Sequence, residues 1–252
     1  MTADPGRTAE GTALRALRVL EAVSRPGGPH RLGRIASEAE IAKPSTHRIL
    51  SSLAGAGYVV NDGAGAYAPG PRAYALSALF VAGKQGENDA VLRQFQSEVE
   101  QTVHVALRSG NYAIYVQKVD NDRPFQMASR VGGHIQLHCT AIGKVILANI
   151  PAEERASLLG GTGLPGRTAN TITDPGALEA ELEKVRADGY AVDDEENEET
   201  IRCLAAPLLD RSGQGIGGVS ISTITFQTSI DQLLEFVPRL RETAGVLAPL
   251  YA

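Results

Sequence analysis

The sequence predicts an α+β chain of two folded parts joined by a helix: an N-terminal winged helix-turn-helix and a larger C-terminal domain mixing helices with antiparallel strands. Three observations lead there. Residues 13–67 read as helix, helix, turn, helix and hairpin. Residues 90–250 alternate amphipathic helical stretches with strands of period two. The charge is also split. Residues 1–86 carry ten Lys/Arg against six Asp/Glu, a balance of +4, and residues 87–252 carry fourteen against twenty-three, a balance of -9. A chain with net charge -5 is thus basic where the helix-turn-helix lies, as attraction to phosphate requires.

Residues 1–12 are small and polar and contain Gly and Pro, which predicts a disordered tail. Residues 13–24 form a helix with Leu14, Leu17, Leu20 and Val23 inward and Arg15 and Arg18 elsewhere. A Pro/Gly-rich turn follows, then a short helix over 32–39, with Arg31 and Arg34 flanking its start as candidate phosphate contacts. Residues 40–42 are only long enough for a turn. The next helix, 43–54, begins with Pro44, whose missing N–H costs nothing in a first turn. Its inward stripe is Thr46, Ile49, Leu50 and Leu53. The rest of its surface carries Lys43, Ser45, His47, Arg48 and Ser51, with no acid anywhere from residue 41 to 61. A solvated helix mixes signs, whereas a face of cations and short donors suits the groove of a duplex. Thr46 opens this helix and joins the candidate contacts. Tyr58, Val59 and Val60, a Gly-rich tip around Asp62 and Gly63, and Ala66 and Tyr67 make the hairpin.

Lys43, Ser45, Thr46, His47 and Arg48, followed by Gly57, Tyr58 and Val59 at the wing entry, resemble the pattern of the IclR family of transcriptional regulators. The resemblance runs from about Leu14 to Leu250. It departs at residues 30–33, where members often carry Ser or Thr before the first helix of the motif, and at the wing tip, which has no Lys or Arg. It implies a DNA-binding domain over 13–70, a linker helix over 71–88 often involved in dimer contacts, and an effector-binding domain over 89–252 that resembles GAF and PAS sensors. It further implies a homodimer or dimer of dimers on a palindromic operator, with a small organic acid or aromatic metabolite as effector.

The apolar residues Ala73, Leu76, Leu79, Phe80 and Gly83 of the linker helix predict a packed partner rather than a flexible tether. Beyond it, a helix is expected over 90–102 and strands over 104–108 and 113–119 as a hairpin. Further strands are expected over 125–130 and 135–138, and a turn at 139 enters a helix reaching 148. A short helix at Pro151, a Gly-rich loop over 160–171, a helix over 174–188 and a strand over 189–192 come next. Strands over 201–208 and 215–224 and a closing helix over 230–250 complete the chain.

Ser220 and Ser222 alternate on one face of an otherwise apolar strand, which suits a pocket with a few placed polar groups. Thr140, Ala141, Ile142 and Gly143 open a helix whose first N–H groups can hold an anion. Met127, Leu137 and Ile224 are candidate apolar wall. The resemblance adds Asp193 and Cys203 to the two serines as effector contacts. Most of the acidic run 193–199 reads as solvated loop.

Other classes leave weaker traces. Cys139 and Cys203 lack metal-type spacing, and no C-x-x-C is present. His104, His134 and His138 show no regular ligand spacing. A thiol enzyme would need Cys203 beside His138 or His104, yet no nucleophile elbow or phosphate-cradling motif accompanies it. No cofactor is expected. Without an apolar run near 18 residues or a signal core, the chain is expected in the cytoplasm with free thiols.

Overall fold

The computed structural model describes residues 11–25, 27–81, 85–122 and 127–251. The chain divides into two compact units at residues 85 and 86. Among the described residues, no helix is long and apolar enough to cross a membrane.

The first unit holds α1 (Thr12–Val23), β1 (His30–Arg31), α2 (Leu32–Glu38), α3 (Lys43–Gly55), β2 (Val59–Asn61), β3 (Ala66–Pro69) and α4 (Pro71–Val81). Its core joins Val19, Val23, Ile35, Ile41, Leu50, Val59 and Tyr67. The strands form an antiparallel sheet in the order β1-β3-β2, so the two residues before α2 also belong to the wing. The α2–α3 turn places Glu40 in the left-handed region (φ 52°), and its carboxylate accepts from Arg18 at 2.7 Å. At the wing base Gly70 is required. A Cβ there would lie 2.4 Å from the Gly57 carbonyl oxygen, on a backbone whose Gly70 N–H already donates to Tyr58.

One expectation holds only in part in α1: Val23 is buried and Leu20 packs against the core, but Leu14 and Leu17 do not turn inward. The buried face is Val19, Ala22 and Val23, while Leu14 and Leu17 are more than half exposed. The α2–α3 corner meets only the C-terminal half of α1, so a stripe drawn along the whole helix is too long.

The second unit holds α5 (Gln85–Val99), β4 (Thr102–Ser109), β5 (Tyr112–Val119), β6 (His134–Gln136), α6 (Ala141–Ala148), α7 (Ala152–Thr162), α8 (Pro175–Asp188), β7 (Ala191–Asp194), β8 (Ile201–Leu209), β9 (Gly215–Ile224), α9 (Ile230–Leu234) and α10 (Val237–Tyr251). Six antiparallel strands run in the order β6-β5-β4-β9-β8-β7. Successive β8 residues serve opposite faces: Ala205 packs with Val145, Ile146, Leu178 and Leu182, and Leu204 and Ala206 pack with Phe95, Leu240 and Leu247. Helices therefore cover both sides. Gly218 lets α6 come close, since a Cβ there would stand 3.1 Å from Val145 and 3.2 Å from Ile142.

Several element bounds differ from the sequence reading. The helix expected over 90–102 starts at Gln85 and stops at Val99, because Glu100 turns left-handed (φ 52°) and releases Thr102 to the sheet. The strand expected over 125–130 is not one where it can be followed. Residues 123–126 lie outside the described residues, and the carbonyls of Met127 and Ser129 accept from Lys118 Nζ (2.9 and 2.8 Å) instead of from a strand. The helix at Pro151 continues through Gly160 and Gly161 to Thr162. The closing helix breaks in two before Pro238, which has no N–H to continue the ladder.

A candidate DNA-reading face and an effector cavity

On α3, Lys43, His47, Arg48 and Ser51 are exposed and Ser45 is half-buried. Lys43 and Arg48 form no ion pair among the described residues. Ser51 donates its hydroxyl to the His47 carbonyl at 3.0 Å. Thr46, a candidate contact on sequence grounds, is corrected: it is fully buried, and its hydroxyl donates to the carbonyls of Ile41 (3.1 Å) and Ala42 (3.2 Å). Its place on the inward stripe decides its role. Arg34 is exposed and pairs with Glu38 one turn on, at 3.2 Å. Arg31 is exposed, and its charge helps hold the wing-tip Asp62 below the usual carboxylate range, behind the larger effect of N–H bonds from Ala66 and Ala64.

In the second unit a cavity of about 420 Å³ opens between the sheet and the start of α6. Met127, Thr140, Ala141, Ile142, Asp193, Cys203, Ser220, Ser222 and Ile224 all line it. Leu137 and Gly143 do not, and both are corrected. Leu137 belongs to the core under α6, and Gly143 packs so tightly on it that a Cβ would stand 2.2 Å from the Leu137 carbonyl oxygen. The Gly143 N–H is also spent, donating to the Thr140 hydroxyl at 3.0 Å as the helix cap. That leaves the N–H groups of Ala141 and Ile142 without a partner among the described residues.

Sequence reasoning missed His104, Tyr115, Ser129, His134, Asn197 and Glu198, which also line the cavity. His104 had a legible signal. In register it sits opposite Ser220 on the neighbouring strand, and a histidine in an apolar strand calls for polar partners. Its Nε2 meets Ser129 Oγ at 2.7 Å, its Nδ1 meets Ser222 Oγ at 3.3 Å, and its ring lies 4.7 Å from that of Tyr115. Burial, aided by the Lys118 charge, pulls its pKa down to about 3, so the imidazole is neutral.

Asp193 is 2 % exposed. Its Oδ1 accepts from the Glu196 N–H (2.8 Å) and the Asn197 N–H (3.3 Å), yet burial outweighs these bonds and pushes its pKa up to about 7. Cys203 Sγ lies 3.1 Å from Ser222 Oγ, and burial followed by the Asp193 charge pushes the thiol up. A thiol held protonated next to a neutral imidazole is the reverse of an activated thiolate pair, and His138 lies outside the cavity on the Pro165 carbonyl. The thiol-enzyme alternative therefore finds no support. Cys139 and Cys203 are both free, and no three His, Cys, Asp or Glu groups converge to hold a metal among the described residues.

Beneath the cavity, Lys144 of α6 is buried and pairs with Glu196 (2.5 Å) and Glu181 (3.2 Å). Thr168 and Thr171 donate to the carbonyls of Glu195 and Glu196, both at 2.6 Å, and Arg167 to that of Asn197 at 2.9 Å. The acidic run is thus a pinned segment that presents Asp193, Asn197 and Glu198 to the cavity.

A winged helix-turn-helix followed by an α/β domain with a polar cavity defines a ligand-sensing DNA-binding regulator. The comparisons narrow that class. Residues 12–63 match the IclR helix-turn-helix domain, and residues 86–248 match the bacterial transcriptional regulator IclR C-terminal domain. The chain is 30% identical to the probable transcriptional regulator SauR of Cupriavidus necator over 242 residues, covering 95% of this chain and 96% of that one. It superposes on the crystal structure of the Thermotoga maritima IclR with a TM-score of 0.74 and 30% identity, over 94% of this chain and 97% of that one. An IclR homologue from Microbacterium hydrocarbonoxydans, solved with 4-hydroxybenzoate, shares the fold (TM-score 0.79, 21% identity, 95% and 98% covered). The chain belongs to the IclR family of transcriptional regulators.

Proposed function

We propose that the chain binds a palindromic operator as a dimer or dimer of dimers, and that a small organic acid or related metabolite in the 420 Å³ cavity shifts it between arrangements that fit the operator and arrangements that do not. Lys43, Ser45, His47, Arg48 and Ser51 read the groove, and Arg31 and Arg34 hold the phosphates. The observation that carries this is the pair of cations, Lys43 and Arg48, on an exposed face of α3 with no ion pair among the described residues, together with a separate unit that has an internal polar cavity. The chain works in the cytoplasm as a regulator rather than a catalyst, in keeping with relatives named as regulators.

A gel-shift titration tests the DNA side. Arg48→Ala weakens operator binding by about 1–3 kcal/mol, roughly 5- to 150-fold, if Arg48 reads a base edge. Unchanged affinity removes Arg48 from the site. On the ligand side, Ser220→Ala or Ser222→Ala alters the response to effector and leaves operator affinity without effector intact. Normal effector binding by both variants in calorimetry rejects the cavity.

A further inference from the structure

Ser220 Oγ and Asp193 Oδ2 both belong to residues at least 97% buried that line the cavity, and neither has a protein partner among the described residues. Each is an open hydrogen-bonding position. The described lining contains no lysine or arginine, and it contains two carboxylates, Asp193 and Glu198. The cation acting on Asp193 is Lys144, which is already engaged by Glu196 and Glu181. Among the described residues no other cation acts on Asp193, and the lining histidines are His104, kept neutral by burial, and His134, exposed on β6. Glu196 repels it, and Cys139, Cys203 and Tyr115 are all kept protonated by burial. Two ionised carboxylates cannot share such a space at hydrogen-bonding distance.

We propose that the cavity admits a carboxylate effector only together with one proton, taken up from solvent by Asp193, whose Oδ2–H then donates to the ligand carboxylate. The N–H groups of Ala141 and Ile142 meet the ligand's other acceptors, and Ser220 takes a hydroxyl or carbonyl. Asp193 thereby sets the charge class: uncharged polar molecules and monoacids enter, and dianions do not. This rests on the cavity being the effector site, as proposed above.

The experiment is calorimetry from pH 6 to pH 8.5 on the full chain with two isosteric pairs, lactate with lactamide and 4-hydroxybenzoate with 4-hydroxybenzamide. Because Asp193 titrates at about 7, the affinity of the acid should fall by up to tenfold per pH unit above that point, while that of the amide stays flat. In Asp193→Asn, which keeps the Oδ1 acceptor for Glu196 and Asn197, the acid should lose its pH slope. An acid with flat affinity in the wild type, or with the wild-type slope in Asp193→Asn, overturns proton uptake. So does a wild-type chain that binds none of the four probes. Ser220→Ala and Ser222→Ala separate the two ideas. If both bind the probes as the wild type does, the cavity reading falls. If both weaken binding but the slope is absent, only the proton falls.

Discussion

Thr46 and His47 are neighbours in sequence with opposite fates. The 100° step between them turns one hydroxyl into the helix-turn-helix corner and leaves the imidazole exposed. Thr46→Val should destabilise the chain by about 1 kcal/mol, since it strands the Ile41 carbonyl, while that of Ala42 keeps the N–H bonds of Ser45 and Thr46, and should leave operator affinity unchanged. Urea unfolding together with a gel shift checks both halves. Asp193 makes a second residue-scale prediction. Its native pKa of about 7 lies above the unfolded value of 3.8, so the native state binds the extra proton. The contribution is therefore fully present below about pH 4 and is lost as pH rises through 7, at most roughly 4 kcal/mol for three pKa units. Asp193→Asn should consequently be more stable than the wild type to urea at pH 8, with the gap closing between about pH 7 and pH 4. The residue types of the cavity were legible where a strand alternates, as at Ser220 and Ser222. His104 showed only as a histidine in an apolar strand that calls for polar partners, and Tyr115 did not show at all, because only the pairing of β4 with β9 and β5 brings them to the same place.

At the scale of elements, α6 organises the sensing unit. All eight of its residues are buried, including Lys144, so no amphipathic stripe marks it. Gly143 lets its first turn lie on the Leu137 backbone, and Gly218 lets its flank lie on β9. Gly143→Ala must push the helix away, because the clash is with backbone rather than a flexible side chain. It should cost about 2–4 kcal/mol and weaken effector binding through displaced Ala141 and Ile142 N–H groups. Thermal unfolding and calorimetry measure the two effects. Lys144→Met should be as severe, about 3–5 kcal/mol, since it leaves Glu196 buried and uncompensated with an Oε2 that already has no partner. A sequence reader sees a helix here from Thr140 as cap and the apolar run that follows. That the run is buried on every side depends on α8 and the sheet closing over it.

At the scale of the molecule, the +4 and -9 parts assign the DNA-facing work to the first unit. Operator affinity should fall steeply with salt, and Arg34→Ala should reduce the log–log slope by about one if Arg34 holds a phosphate. A titration across salt concentrations decides this. The same unit leaves Leu14 and Leu17 on α1 and Tyr74 and Leu76 on α4 exposed, which is costly for a monomer. Light scattering on the full chain should give at least twice the monomer mass, and Leu14→Ser with Leu17→Ser should lower it.

Taken alone, the sequence determined what local patterns can carry: the cationic face of α3, the wing, most of the helices and strands, and the division of charge. These follow from neighbours within a few residues, where helical and strand periods act. The tertiary structure alone decided which half of α1 is buried, that Thr46 belongs to the core, that Leu137 and Gly143 support the cavity without lining it, and that His104, Tyr115 and Ser129 join Asp193 there. Those depend on strand register and close helix–sheet approach between residues far apart in the chain, and a sequence period does not encode such distances.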